Sequence, residues 1–355
     1  MRLKKLVRVL KKNDLLPYLI TDLVNIRYLT GYAGTYAYLV IDRNRSWFIS
    51  DSRYEEYARS ILSREVEFVL QKTDFLDSLK GVLKSTGAKE LFLEEHSLVF
   101  SMYRAMKQRL CGVKLVPGGD HANTARMVKD EDEIAVLRKA ARITDACVDH
   151  LYTVIKPGVS EWDIAVEIEH FYRTNGCRKS SFDSIVAAGS GSSMPHYATS
   201  MSKKVRAGEP VLVDMGCEYQ GYNSDLTRTM FVHSIDPALE KIYRVVQRAQ
   251  EAAVRAVRPG ITVGKLDAVA RDIIAEAGYG EQFGHSLGHG IGMDVHELPA
   301  IRKGDLALKK GMAITIEPGI YLPGIGGVRI EDMVVVTAAG REVLTKSSKD
   351  IMILG

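Results

Sequence analysis

Cysteine is scarce in this chain: four in 355 residues, at Cys111, Cys147, Cys177 and Cys217. None forms a CxxC pair, which excludes a zinc knuckle and a disulfide framework and leaves free, buried or half-buried thiols. Long hydrophobic runs are missing too. Nothing approaches the 18 apolar residues of a membrane span. The basic N-terminus, MRLKKLVRVLKKN, has no apolar stretch of the kind a secretory signal needs. Its Leu3, Leu6, Val7 and Leu10 instead form the stripe of a surface helix packed on its own domain. Charge of one sign is lacking as well: a formal +4 is too weak a field for a dedicated nucleic-acid partner. With 46% hydrophobic and 26% charged residues, the composition is not that of a disordered chain. A soluble, cytoplasmic protein of two domains, with a core large enough to fold without staples, is the expectation.

The first part of the chain alternates short strand patterns with helical ones. AYLVID (37–42), SWFIS (46–50), VEFVL (66–70) and ELFLEE (90–95) read as strands, with RYEEYARSIL and DFLDSLKGVLKSTG as helices between them. That alternation predicts an α/β domain over 1–123, closed by VPGGDHAN (116–123) as a linker. The second domain, 124–355, opens on a long helical pattern that stops at Pro157-Gly158 and then repeats itself. IKPGVSEWDIAVEIEHFYRTNGC lies over VRPGITVGKLDAVARDIIAEAGY at a constant offset of 102. Each copy carries a PG stop, a Ser or Thr N-cap, a helix and a Gly stop. Apolar strands follow in both: PVLVDMG and MAITIEPG. The period is too long for a solenoid, so two copies imply a pseudo-two-fold α/β domain.

The duplicated strands carry the chemistry. Asp214 and Asp225 are symmetric about Tyr219-Gln220, and a hairpin centred there would place the two carboxylates opposite each other on neighbouring strands. Glu317 and Glu331 are symmetric about Gly324 within a Gly- and Pro-rich turn. Each acid alone is an ordinary salt-bridged side chain. Flanked by VLV or ITI, however, four unpaired carboxylates would each cost several kcal/mol, so they call for cations. Of the three histidines in HSLGHGIGMDVHE, His289 stands between Gly288 and Gly290, which let the backbone come close. One imidazole with four carboxylates is a hard donor set suited to Mn²⁺, Co²⁺, Fe²⁺ or Zn²⁺, and four negative charges balance two divalent ions. Two ions held close together polarise a carbonyl and acidify a shared water. Arg329, two residues before Glu331, shares its strand face and serves either as a counter-ion or to orient the glutamate. His196 follows Pro195 in a Gly/Ser loop.

With these residues in view, the chain resembles the Xaa-Pro peptidase branch (aminopeptidase P and prolidase) of the pita-bread metallopeptidases. The resemblance rests on FDSIVAAG, PH, VLVDMGCEYQGYNSDLTRT, GHGIGMDVHE, IEPGIY and GVRIED, with NIRYLTGYAGT and DSRY in the first domain. It implies a pita-bread catalytic domain behind a creatinase-N-like, ribonuclease-H-like accessory domain, and a homodimer. It implies Asp214, Asp225, His289, Glu317 and Glu331 as ligands of two ions, Mn²⁺ or Co²⁺ first, with Asp225 and Glu331 shared between them. His196 and His296 then handle protons and stabilise the tetrahedral intermediate, Glu317 is a candidate base, and His285 and Arg329 are supporting residues. The substrate implied is a peptide with proline in second place. Tyr197 stands where many relatives have a small residue, which narrows the pocket. Ala300 stands where some dipeptidases have an arginine for the substrate carboxylate. The reading therefore leans to an aminopeptidase acting on longer Xaa-Pro peptides, with an Xaa-Pro dipeptidase as the alternative. A methionine-aminopeptidase-like enzyme, a creatinase-like amidinohydrolase and a non-catalytic binding protein are weaker competitors, because all five ligands and the first domain are present.

Overall fold

The structure, a computed structural model, describes residues 2–355. The chain divides into two compact units, Met1–Arg126 and Met127–Gly355. In the first, β1 (Tyr18–Ile20), β2 (Tyr38–Ile41), β3 (Ser46–Ser50), β4 (Val66–Leu70), β5 (Glu90–Leu93) and β6 (Lys114–Pro117) form one sheet, ordered β4-β3-β2-β1-β5-β6. β1, β2 and β3 pair antiparallel, and β4, β5 and β6 join in parallel. Six helices accompany the sheet: α1 (Arg2–Lys12), α2 (Leu23–Thr30), α3 (Glu55–Ile61), α4 (Phe75–Thr86), α5 (Phe100–Arg109) and α6 (His121–Arg126). α1 buries Leu3, Leu6 and Leu10, while Val7 stays half-exposed at the edge of the stripe. α4 starts at an Asp74 cap and stops at Gly87, whose φ of 67° only glycine adopts readily.

The segment 116–123, expected as a linker, is ordered structure. Its start completes β6, and its end opens α6, which is tied down by Asn25 Nδ2 on Asn123 at 2.8 Å and Arg126 on Asn25 at 2.9 Å. The sequence reading also missed β1, whose three residues are too few to show a period.

The second unit is built twice. Its first half runs α7 (Glu131–Val154), α8 (Glu161–Thr174), β7 (Lys179–Ser180), β8 (Ile185–Ala188), β9 (Pro210–Met215), β10 (Cys217–Tyr219), β11 (Tyr222–Asn223) and β12 (Leu226–Val232). The second runs α9 (Pro237–Ala256), α10 (Val263–Glu276), β13 (Gly288–Gly290), β14 (Glu297–Ile301), β15 (Ala313–Ile316), β16 (Gly319–Leu322), β17 (Gly326–Arg329), β18 (Asp332–Thr337) and β19 (Gly340–Val343), and β20 (Met352–Leu354) closes the chain. The main sheets are β20-β12-β9-β8 and β14-β13-β15-β18-β19. Ser160 and Thr262 cap α8 and α10, and each makes the same kind of isolated antiparallel bridge, to Lys204 and Ala307 respectively. One core packs α7 and α8 on β8, β9 and β12; the other packs α9 and α10 on β15 and β18. This is the pita-bread architecture. Among the described residues, no helix is long and apolar enough to cross a membrane.

Candidate metal centre

Asp214 lies on β9, and Asp225 immediately precedes β12. The connecting turn is centred at Gln220-Gly221, one residue later than expected. Both turn residues have left-handed backbones, φ 50° and 87°, as a two-residue primed turn requires. The pairing therefore shifts by two residues, and Asp214 faces Thr227 rather than Asp225. A shift of two keeps side chains on the same face, so Asp225 is still a diagonal neighbour of Asp214. The other hairpin is centred on Gly324, as expected. Gly319 pairs with Arg329 on one side and Ile316 with Asp332 on the other, which leaves Glu317 and Glu331 opposite each other between them. His289 is the middle residue of β13. A Cβ on Gly288 would lie 2.1 Å from Thr315 O, and one on Gly290 would lie 2.2 Å from Leu298 O. Only glycine lets these strands close around His289.

The donor atoms of Asp225, His289 and Glu331 all lie within 4.8 Å of one another. His289 Nε2 is 3.3 Å from Glu317 Oε1 and 3.7 Å from Asp225 Oδ2. His289 Nδ1 is 3.1 Å from the Gly290 carbonyl, which can only accept, so Nδ1 carries the hydrogen. Burial pushes the imidazole pKa down. Nε2 therefore presents a bare lone pair to carboxylate oxygens, an arrangement that needs a cation or a shared proton between them.

The carboxylates give the same answer. Asp214 Oδ1 and Glu331 Oε1 are buried and accept no hydrogen bond among the described residues. Burial, reinforced by Glu331 and Asp214, raises the pKa of Asp225 well above the usual range, and burial with Glu317 and Asp214 does the same to Glu331. Glu317 is pushed up to about 7, chiefly by burial. One guanidinium, Arg329, faces this group of four acids. Oxygen and imidazole donors with no thiolate fit hard divalent ions.

Around the acids runs a hydrogen-bond chain whose direction is settled by its ends. Arg329 donates to Asp214 Oδ2 at 2.7 Å, to Thr227 Oγ1 at 3.0 Å and to the Tyr321 hydroxyl at 2.9 Å. Thr227 passes its own hydrogen to Glu331 Oε2 at 2.7 Å. His285 Nδ1 donates to Ser286 O at 2.8 Å, so its Nε2 accepts from Tyr321 at 3.0 Å. Burial and then the Arg329 charge lower His285 to about 4, which keeps it neutral and able to accept. Thr315 accepts from the His289 amide and donates to Glu317 Oε1, both at 3.1 Å. Tyr321→Phe removes one link and strands an Arg329 donor. It should keep its metal and lose about 10-fold in kcat/KM, the scale of residues that orient ligands. Wild-type turnover would show that Tyr321 orients nothing.

All nine residues singled out in the sequence (Asp214, Asp225, His289, Glu317, Glu331, His196, His285, His296 and Arg329) line one cavity of about 820 Å³. The His296 ring lies 4.2 Å from the His289 ring, tilted 49° to it, and burial lowers its pKa. His196 stands exposed on the rim. Sequence reasoning missed Thr227, Thr315 and Tyr321, and also Arg302 and Lys303 on the cavity wall. For the two threonines a signal existed: each sits two residues from an acid, on the same strand face, by the spacing that singled out Arg329. Tyr321 and the two cations carried none.

A two-fold α/β unit with a recessed carboxylate–imidazole cluster defines a metal-dependent hydrolase. Metallopeptidase family M24 matches residues 135–338, and the creatinase/prolidase N-terminal domain matches residues 2–128. The chain belongs to metallopeptidase family M24. It is 38% identical to the Xaa-Pro dipeptidase of Pyrococcus horikoshii, over 99% of this chain and 98% of that protein. The solved Xaa-Pro dipeptidase from Bacillus anthracis superposes with a TM-score of 0.96 at 40% identity, over 99% of both chains. The X-Pro aminopeptidase from Thermotoga maritima does so at 0.86 and 36%, over 95% of this chain and 97% of that one.

Proposed function

We propose that this metallopeptidase is an Xaa-Pro dipeptidase. The sequence reading leaned the other way on Ala300, and the relatives named Xaa-Pro dipeptidase weigh against that lean. The observation that carries the proposal is the cavity wall. Ala300 ends its side chain short, but Arg302, two residues on and just past the end of β14, lines the same cavity together with Lys303. Neither cation has a hydrogen bond or ion pair among the described residues. A free carboxylate on the proline, the residue next to the scissile carbonyl, has a cation to meet there.

In this reading the five ligands would hold two divalent ions, with Asp225 and Glu331 central, Asp214 on one side and His289 and Glu317 on the other. The like-charge pressure that Asp225 and Glu331 both feel from the other acids supports a central place for them. When bound, the ions polarise the scissile carbonyl and bring the pKa of water towards neutrality. Arg329 holds Asp214 by one nitrogen and Thr227 by another, so two acids keep their orientation through the reaction. Glu317 Oε1 is engaged by Thr315, which leaves Oε2 to accept the proton of the attacking water. That proton is needed again, because the proline nitrogen leaves as a secondary amine and must be protonated as the C–N bond breaks. His196 and His296, on the cavity wall, face the negative charge that develops on the carbonyl oxygen. A homodimer belongs to the same proposal, and sedimentation reads it.

The test supplies Mn²⁺ or Co²⁺ with Xaa-Pro and Xaa-Pro-Yaa peptides side by side. Faster dipeptide turnover is expected. Faster tripeptide turnover would restore the aminopeptidase reading that Ala300 favours, and turnover of neither would end both. Arg302→Ala should raise KM for Xaa-Pro about 10-fold, the worth of one exposed charge-assisted hydrogen bond. KM for Xaa-Pro-Yaa should stay put. Equal effects on both peptides would remove Arg302 from carboxylate selection.

A further inference from the structure

His196 is carried by a segment with little regular structure, held by short-range turns of its own and by Thr199, which accepts from Val186 N at 2.9 Å and donates to Ser184 O at 3.0 Å. Between Ala188, the last residue of β8, and Ser200 the chain reads GSGSSMPHYAT, a Gly/Ser-rich stretch with one short turn at Gly189–Ser193. Such a sequence places a side chain reliably only when its ends are held from outside. Both ends are held by one carboxylate. Glu161, the first residue of α8, is fully buried; its Oε1 accepts from the Ala188 amide at 2.8 Å and its Oε2 from the Ser200 amide at 3.0 Å. A single planar group thus joins two points that bracket His196.

The charge is accommodated locally. Lys203 Nζ lies 3.9 Å from Oε1 and also donates to the Ala188 carbonyl, while the Glu161 amide donates to Lys203 O at 3.0 Å. The acid also sits in the first turn of a 14-residue helix, where the backbone dipole favours an anion. Within the loop, the Tyr197 ring lies over Gly191, where a Cβ would come within 3.1 Å of it. Two further ties set the loop against β17, the strand that carries Arg329. Gly327 N donates to Ser192 Oγ at 2.9 Å, and Arg329 Nη1 reaches Pro195 O at 3.4 Å. Glu161 does not line the catalytic cavity.

We infer that Glu161 is a positioning residue for His196: its buried carboxylate clamps both ends of the loop that holds this histidine at the cavity rim. The inference rests on the reading that His196 acts in the reaction, and the experiment separates the two. Glu161→Gln turns one acceptor oxygen into a donor facing an N–H, so one end of the clamp opens. In the metal-loaded full-length protein, kcat/KM should fall on the order of 10-fold, within the range a displaced catalytic group produces. Bound metal should be unchanged. The double variant Glu161→Gln/His196→Ala should be no slower than His196→Ala alone, because the clamp then has nothing left to place. Losses that multiply would overturn the inference, since a residue acting only on general stability slows both backgrounds alike. Hydrogen exchange at Ala188 and Ser200 should quicken while exchange in β13 does not, and unchanged exchange at both ends would equally overturn it. If Glu161→Gln does not fold, Lys203→Met loosens the same clamp from its counter-charge and enters the same cycle. If His196→Ala alone keeps full turnover, the role of His196 fails, and exchange at Ala188 and Ser200 still decides whether Glu161 clamps the loop.

Discussion

Asp225→Asn should lose its bound metal and on the order of 10³-fold or more in activity, because the two ions of the proposed site would supply several kcal/mol of charge stabilisation to the transition state. The substitution preserves size and leaves the hairpin intact, so the effect isolates the charge. Asp225 is 4% exposed and lies among three other acids, with burial the main pressure on it. An amide there offers one oxygen, carries no charge and cannot be shared between cations. Metal content by elemental analysis and peptide turnover are the two readouts. Unchanged two-ion stoichiometry would refute the shared position of Asp225. The same variant has an opposite signature without metal. Removing one of several crowded like charges should make the stripped protein more stable than the stripped wild type, as buried like charges repel and resist desolvation.

Stripped of metal by a chelator, the wild-type protein should become less stable as pH rises above about 6.5. A carboxyl whose pKa is higher in the folded than in the unfolded chain retains its proton longer when folded. Its contribution is complete below the unfolded value and is lost as pH rises through the folded one. Glu317 moves from 4.5 to about 7, and burial and the neighbouring acids raise Asp225 and Glu331 well above their usual range in the same direction. Below 6.5 the buried histidines oppose this trend. His285, His289 and His296 all sit below their ordinary value of 6.5, so their contribution is lost as pH falls. Above 6.5 their opposing contribution fades as the histidines of the unfolded chain lose their protons, and the acids dominate. One carboxyl that stays protonated only in the fold gives roughly 1.4 kcal/mol per pH unit while the pH lies below its folded value. Metal reverses the sign, since binding needs the ionised acids and releases their protons. Urea midpoints with and without Mn²⁺ above about pH 6.5 provide the measurement. Stability of the stripped protein that rises with pH over this window would show that the acids are not held protonated.

Much of the site could be read from residue types and spacing. The symmetry of Glu317 and Glu331 about Gly324 survives unaltered in the pairing of β15 to β18, because a Gly-centred turn leaves the flanking strands one register to adopt. The first hairpin was displaced by one residue. Gly216, Gly221 and Asn223 all offered turn chemistry, and the conformation of Gln220, φ 50°, was not foreseeable from a residue that rarely takes it. The glycines beside His289 were legible as a close approach, but not what they approach. The 116–123 segment looked like a linker because Pro and Gly dominate it locally. Its order comes from Asn25 and Tyr28, about a hundred residues earlier, through hydrogen bonds to Asn123, Arg126 and Ala125.

By itself the sequence determined which residues can offer donor atoms: four acids and one imidazole on apolar, duplicated strands, chemistry that is costly without cations whatever the fold. It also determined that the strands come in two like pairs, since caps, stops and turns are local signals. Only the tertiary structure decided that the two pairs share one cavity, because contacts between residues 100 positions apart depend on which faces are buried together. Only it decided the sense of the hydrogen bonds through Arg329, Thr227 and Tyr321, since a hydroxyl becomes donor or acceptor according to its neighbours. The cations at Arg302 and Lys303 and the clamp at Glu161 belong to the same category. Nothing in a charged residue's own sequence position says whether it will meet water, a substrate or two backbone amides.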